Sequence, residues 1–333
     1  MSKFFIFNID KYKIILHNSS YGFLDVKFCW CNVCPKLQTQ IKDTAQVRNV
    51  LKRIDYEIRL KDGAVVDTCL IYLPCKNGVC EVSALFNLIK EILFIHFCFS
   101  ITEISNKLGI EFNESQKQQL FLKAVRNTSQ HTAQGELGEL LLFALLEAYY
   151  DAPKILTKMS LKSSRRVPYH GADGVHAQFH QGELRLYFGE SKLHDAFDGA
   201  KNDAISSISK CFEQDKYEFE FDKIETHIDF PNIDKDLKDL ILNLTNPFNN
   251  HSIQNDILHT PCFIGFTEAS IFSDTDDEYL ENYKAMANNH VTSFYKTVQH
   301  KNLSPCKTPL LLLPFSSVEE VVKQFIEYMG IAK

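Results

Sequence analysis

No run of apolar residues in this chain is long enough to span a bilayer. The longest, 92–101, is broken by His96 and Ser100. Near the start, Phe4-Phe5-Ile6-Phe7 is too short for the apolar centre of a secretion signal, and no Ala-x-Ala cleavage site follows it. Ten cysteines in 333 residues are too sparse for a disulfide framework, so they are expected as reduced thiols of a cytoplasmic protein. The doubled Cys-x-x-Cys pattern of structural zinc is also missing: Cys29, Cys31 and Cys34 follow Cys-x-Cys-x-x-Cys, with Cys75 and Cys80 as distant partners. Cys98, Cys211, Cys262 and Cys306 stand in apolar or isolated contexts and are expected to pack as small hydrophobes. Repeats and low-complexity tracts are lacking, and 45% hydrophobic with 23% charged residues is the composition of a folded globular chain.

Positive charge is not in surplus either. A net charge of −6 excludes a surface that is basic throughout, the usual footprint of a protein that coats nucleic acid. Charge is distributed unevenly, however. Between residues 153 and 170 the chain carries Lys154, Lys158, Lys162, Arg165 and Arg166 and no Asp or Glu. This segment reads either as a phosphate-contacting loop or as an ordinary solvated face.

Two strand-like stretches follow, 171–179 and 184–192, separated by His180-Gln181-Gly182-Glu183, where the Gly suits a tight reversal. An antiparallel hairpin that sets Phe179 against Leu184 also sets Ala177 against Leu186, Val175 against Phe188 and Asp173 against Glu190. Apolar residues then face apolar ones, and acid faces acid. Side chains alternate along a strand, so the two acids continue the apolar face and Lys192 lies on the side of Glu190. Two carboxylates about 4 Å apart repel by roughly 4 kcal/mol at an effective dielectric of about 20. A divalent cation offsets that repulsion, and oxygen ligands suit Mg²⁺ or Mn²⁺ better than zinc. Beside it, a lysine holds a nucleophilic water and offsets charge developing on a phosphate. An isolated Glu-x-Lys is more often a buried ion pair; the facing Asp173 is what favours phosphodiester hydrolysis.

Residues 1–125 read as an α+β region, with strands near 13–16, 25–29 and 65–73 and helices near 37–51 and 82–95. It carries no catalytic signature and is a candidate partner-binding region. A helix and connector over 112–130 lead into the second region. From 126 to 333 the order is helix 134–150, strand 154–159, the hairpin, helix 196–212, helix 234–244, strand 262–266, helix 276–298, strand 309–313 and helix 317–328. Such an order predicts a three-layer α/β domain around a mixed central sheet.

Three stretches carry a family resemblance: Gly135-Glu136-Leu137-Gly138-Glu139, His170-Gly171-Ala172-Asp173-Gly174-Val175-His176 and Phe188-Gly189-Glu190-Ser191-Lys192-Leu193-His194. A helix acid, then Asp173, then Glu190-x-Lys192 resembles the PD-(D/E)XK nuclease superfamily. The wording around them is similar to the DUF1837 family, that of the HamA nuclease subunits of the bacterial Hachiman anti-phage system. The resemblance implies a restriction-endonuclease-like core, a Mg²⁺- or Mn²⁺-dependent DNA nuclease, and a HamB-like superfamily 2 helicase that restrains it until DNA is sensed. It implies Asp173 and Glu190 as metal ligands and Lys192 as catalytic lysine. The helix acid is Glu139 or Glu136, with Glu139 favoured because it precedes the continuous apolar stripe. Ala172 stands where the superfamily usually has Pro, a change that removes no ligand.

Nucleic-acid contacts are expected from Lys162, Arg165, Arg166 and, on the next helix, Lys201 and Lys210, whose alternative is a solvated helix face. By alternation His176 points away from Asp173, whereas His194 keeps the parity of Glu190 and Lys192; structural or surface roles compete for each histidine, as they do for His170 and His180. Two other functions remain open: a non-catalytic regulatory or DNA-binding subunit, and a stand-alone repair nuclease or RNase of the same superfamily. Retention of Asp173, Glu190 and Lys192 together argues against the first. Phosphate contacts alone do not separate DNA from RNA.

Overall fold

The computed structural model describes residues 4–9, 12–18, 24–25, 36–60, 63, 65–76, 79–109, 113–161, 171–248, 257–273 and 275–331. Cys29, Cys31, Cys34, Lys162, Arg165, Arg166 and His170 lie outside the described residues. Three strands, β1 (Phe4–Ile9), β2 (Tyr12–Asn18) and β3 (Leu24–Asp25), form an antiparallel sheet of their own. After helix α1 (Thr44–Val50) come β4 (Lys52–Ile54), the small pair β5 (Ile58–Arg59) and β6 (Val65–Val66), β7 (Thr68–Tyr72), and the small pair β8 (Cys75–Lys76) and β9 (Val79–Cys80). Helix α2 (Val82–Leu88) passes through a π turn into α3 (Phe94–Cys98), and α4 (Ile101–Leu108) and α5 (Glu114–Arg126) follow.

Helix α6 (Ala133–Tyr149) leads into the site region. Thirteen of its seventeen residues are buried, which is the pattern of a helix enclosed on nearly all sides. Then come β10 (Lys154–Leu156), β11 (Gly174–His180), β12 (Glu183–His194), α7 (Phe197–Cys211), α8 (Gln214–His227) and α9 (Lys235–Thr245). The chain closes with β13 (Leu258–His259), β14 (Cys262–Thr267), α10 (Asp276–His300), β15 (Leu310–Phe315) and α11 (Val318–Met329).

The main sheet has eight strands in the order β10-β11-β12-β14-β15-β7-β4, with β13 also beside β12. Its middle, β12-β14-β15-β7, is parallel, and both flanks are antiparallel. Every residue of β15 is buried, as expected of a parallel strand covered on both faces, and its Leu310-Leu311-Leu312-Leu313 run reflects that. Helix α6 packs on one face of β12, where Gly138 approaches Ser191 and Leu193. Helix α7 packs on the other face and is joined to α10 by the stacked rings of Phe197 and His290 and by the Lys201–Ser293 hydrogen bond. This is a mixed α/β architecture around a large mixed sheet.

Strands β4 and β7, expected in a separate N-terminal region, complete this same sheet through the pairing of β7 with β15. One apolar core runs from Ile41 to Ile331, so a boundary between 125 and 126 would cut both the sheet and the core. A second core lies on the apolar face of the hairpin, where α8 and α9 cover Val175, Ala177, Leu184, Leu186 and Phe188 with Tyr217, Phe221, Ile224, Leu237 and Leu240. The strand expected over 154–159 ends at Leu156, and a 3-10 turn, Met159–Leu161, takes its place. No single helix among the described residues is long and apolar enough to cross a membrane.

Candidate active site

The hairpin forms in the register expected from its apolar pairing: Phe179 faces Leu184, Ala177 faces Leu186 and Val175 faces Phe188. Gln181 (φ 52) and Gly182 (φ 87) make the two-residue reversal, the positive-φ pair that matches the twist of the strands. The ladder ends at Gly174 opposite Gly189. Asp173 lies one residue beyond it, and its N–H donates to the Gly189 carbonyl at 2.8 Å.

From there the Asp173 carboxylate turns onto Ser191. Its Oδ2 accepts from the Ser191 N–H at 2.8 Å and from the Ser191 hydroxyl at 3.1 Å. Glu190, 6% exposed, is held through its N–H by the Pro261 carbonyl at 2.9 Å. Lys192, two residues along β12, forms an ion pair and hydrogen bond with Glu190 Oε1, and Ser207 of α7 also hydrogen-bonds the Glu190 carboxylate. Burial, and then the charge of Asp173, push the Glu190 carboxyl well above the ordinary carboxylate range. At Lys192 burial works against the charge, but Glu190, with a contribution from Asp173, holds the ammonium above its usual pKa. Lys192 is therefore protonated at neutral pH.

Asp173 and Glu190 line one cleft of ≈ 290 Å³ together with Ser207, Lys210, Cys211, Lys216, Phe219 and Glu220. Helix α8 thus supplies a wall that sequence reasoning did not anticipate. Its Glu220 is buried and accepts from the Ala172 N–H at 3.2 Å, fixing the residue before Asp173. Gly171, at φ 131, has a backbone conformation that favours glycine, and a Cβ there would collide with Glu220 Oε1. Lys158, expected either on a phosphate-contacting loop or on a solvated face, is instead 7% exposed, with its Nζ 3.8 Å from Asp173 Oδ1. Ser191, Ser207 and Glu220 escaped the sequence reading because short polar residues and a Glu in a charged helix carry no distinguishing pattern.

On the α6 side of Asp173, Glu139 lines a recess of ≈ 20 Å³ with Lys158, Asp173 and His176, room for a single water. Glu136 is buried near the start of α6 and accepts from the Thr132 hydroxyl at 2.6 Å. Of the two helix acids, Glu139 is the one that shares a cavity with Asp173. His176, expected by alternation to point away from Asp173, reaches this same recess; it is fully buried, its Nδ1 donating to the Ala152 carbonyl at 2.8 Å, and burial drives its pKa down to about 3. Lys201, expected to contact nucleic acid, is withheld from solvent: 7% exposed, it donates to Asp198 at 2.7 Å and to Ser293 at 2.8 Å. Lys210, by contrast, does line the cleft. His194 sits at the exposed entry to α7, where its Nδ1 accepts from the Ala196 N–H at 3.4 Å.

Among the described residues, no three His, Cys, Asp or Glu side chains are arranged to hold a metal ion on their own. The two cysteines of the β8–β9 pair, Cys75 and Cys80, approach to 3.6 Å between sulfurs. Of the cysteines expected to pack as small hydrophobes, Cys98 and Cys262 are buried, Cys211 is half-buried and Cys306 is exposed.

A family model, HamA, matches residues 48–329. The chain belongs to the HamA family. The match begins ahead of β4 and ends with α11, so it covers the whole main sheet and every described residue of the cleft in this HamA-family chain. Among curated proteins, none matches.

Proposed function

We propose that the chain is a Mg²⁺- or Mn²⁺-dependent DNA nuclease with a PD-(D/E)XK core, acting as the nuclease subunit of an anti-phage complex under the control of a HamB-like helicase. One observation carries the chemistry: the hairpin sets Asp173 and Glu190 on one cleft, with the Lys192 ammonium against Glu190. Membership of the HamA family supports the defence role, and the mixed α/β sheet suits the nuclease core.

The residues fit a hard divalent cation. Two carboxylates face one solvent-reaching cleft, and after burial it is the charge of Asp173 that raises Glu190, a repulsion that a cation relieves. Asp173 and Glu190 would hold the ion, with Glu139 approaching Asp173 from the α6 side and water or phosphate oxygens supplying the remaining positions. When bound, the ion supplies Lewis acidity towards the phosphate and acidifies water.

The protein's own groups do the rest. Ser191 fixes the direction of the Asp173 carboxylate, and Glu220 fixes the backbone that leads into it. Lys192, kept protonated by Glu190, serves as a hydrogen-bond donor that offsets charge developing on the phosphate and orients the attacking water. Incubating supercoiled plasmid with the chain tests this reading: nicked product should form in Mg²⁺ and not in EDTA, and an equal yield in both would refute metal dependence. For the partner, co-purification with a helicase encoded beside it is expected; a chain that stays alone when the two are co-expressed counts against a two-component complex.

A further inference from the structure

The cleft wall opposite the two acids has a composition that metal chemistry does not use. Along α8, the pairs Lys216–Phe219, Lys216–Glu220, Phe219–Lys223 and Glu220–Lys223 are each three or four residues apart and so lie on one side of the helix, while Tyr217, Phe221 and Ile224 turn into the core. Phe219 lines the cleft and is 46% exposed, a large apolar ring left in water beside charged groups. Its position is not loose. Lys223 Nζ sits 3.2 Å from the ring centroid, and the same Nζ donates to Glu220 Oε1 at 3.4 Å. One face of the ring is thereby covered by a cation that is itself anchored. Two further lysines, Lys210 at the end of α7 and Lys216 in the first turn of α8, line the same cleft.

An anchored aromatic ring flanked by lysines is the arrangement that binds single-stranded nucleic acid: the ring takes a base and the cations take the phosphates. A base inside a duplex is already stacked on both sides and offers no face to such a ring. The size of the cleft agrees, since ≈ 290 Å³ is at the lower end of the roughly 300–1,000 Å³ of small-molecule sites, the scale of one nucleotide. We infer that the α7–α8 wall of the cleft binds one unstacked nucleobase on Phe219, with the phosphates of that strand on Lys210 and Lys216. The preferred substrate is then a single-stranded segment. This inference rests on the nucleic-acid reading above and deepens it.

Binding measured without chemistry separates the two. In EDTA, fluorescence anisotropy of a labelled short oligothymidylate and of a labelled duplex, titrated with the full chain, reads affinity alone. Phe219→Ala is expected to weaken oligothymidylate binding about 5- to 150-fold, the effect of losing one base–aromatic stack, and to leave duplex binding nearly unchanged. Phe219→Trp should restore it. Lys210→Ala with Lys216→Ala should weaken both ligands and lower the salt dependence by about one phosphate contact each. No binding of oligothymidylate by the wild-type chain would overturn the inference, as would Phe219→Ala binding like wild type or losing both ligands equally. A Glu190→Ala chain that still nicks plasmid would defeat the metal site and leave the Phe219 site standing.

Discussion

Ser191 holds Asp173 through both of its donors, the main-chain N–H at 2.8 Å and the hydroxyl at 3.1 Å. Behind Ser191 stands Gly138 of α6, where an added Cβ would lie 3.3 Å from the Ser191 hydroxyl oxygen. The close approach of helix to strand thus fixes the residue that fixes the acid. Ser191→Ala keeps the N–H bond and loses the hydroxyl. It should slow Mg²⁺-dependent nicking about tenfold, one charge-assisted hydrogen bond, with the melting temperature almost unchanged. Unaltered nicking would show that Asp173 does not depend on it.

Gly171 and Glu220 should be coupled. Gly171→Ala introduces a Cβ against Glu220 at a positive φ and should destabilise by about 1–3 kcal/mol. Glu220→Ala removes the obstacle and the bond to Ala172 together. In urea denaturation the double variant is expected to be more stable than the sum of the two losses predicts, by at least about 0.5 kcal/mol. Strict additivity would contradict the contact.

Away from the cleft, Lys154 ties β10 to the carbonyl end of α3. Its Nζ donates to the carbonyls of His96 at 2.5 Å, Phe97 at 3.1 Å and Phe99 at 3.2 Å, and its N–H donates to Glu147 Oε1 at 3.0 Å. Lys154→Met leaves three carbonyls without that donor and should cost about 3 kcal/mol in urea denaturation, as removal of a buried charged hydrogen-bonding group does. A loss below about 1 kcal/mol would mean that water or a shift of α3 replaces it.

Stability should respond to pH in two stages. Burial lowers the pKa of His96 to about 4 and of His176 and His259 to about 3, so below about 6.5 the unfolded chain binds protons that the native one refuses, and stability falls with pH. Burial raises Glu147 to about 7 and also raises Glu190 and Glu220, so between about 4.5 and 7 the native chain holds protons that the unfolded one releases, and stability rises as pH falls. The two sets oppose each other from about 6.5 to 4.5. Below that these carboxyls no longer offset the histidines, each of which adds up to about 1.4 kcal/mol per pH unit down to its own lowered pKa. The urea midpoint should be nearly flat over the first interval and drop steeply below it; a steady loss beginning at 6.5 would contradict the carboxyl shifts.

The hairpin was legible because period-two alternation and a Gln-Gly reversal leave only one register that pairs apolar with apolar, and that register also places Asp173 beside Glu190. The helices of the second half were legible from their apolar stripes. Helix α8 was not, since Tyr217, Phe221 and Ile224 are embedded among Asp, Glu and Lys residues and make only a narrow stripe. Nor was the place of β4 and β7. Strand β7 pairs with β15 across more than two hundred residues, and nothing local in Thr68–Tyr72 specifies that partner. Lys158 looked like part of a basic loop because charge in a sequence does not reveal burial; its place beside Asp173 is a product of tertiary packing.

The central claim is that Asp173, Glu190 and Lys192 act together on a phosphodiester. It is tested most directly by nicking of supercoiled plasmid in Mg²⁺, comparing the wild-type chain with Glu190→Ala and Lys192→Ala at matched concentration and verified folding. The account predicts nicking by wild type and loss of at least about a hundredfold in each variant, as for removal of a charged group that acts only in the transition state. Undiminished nicking by both variants would contradict it.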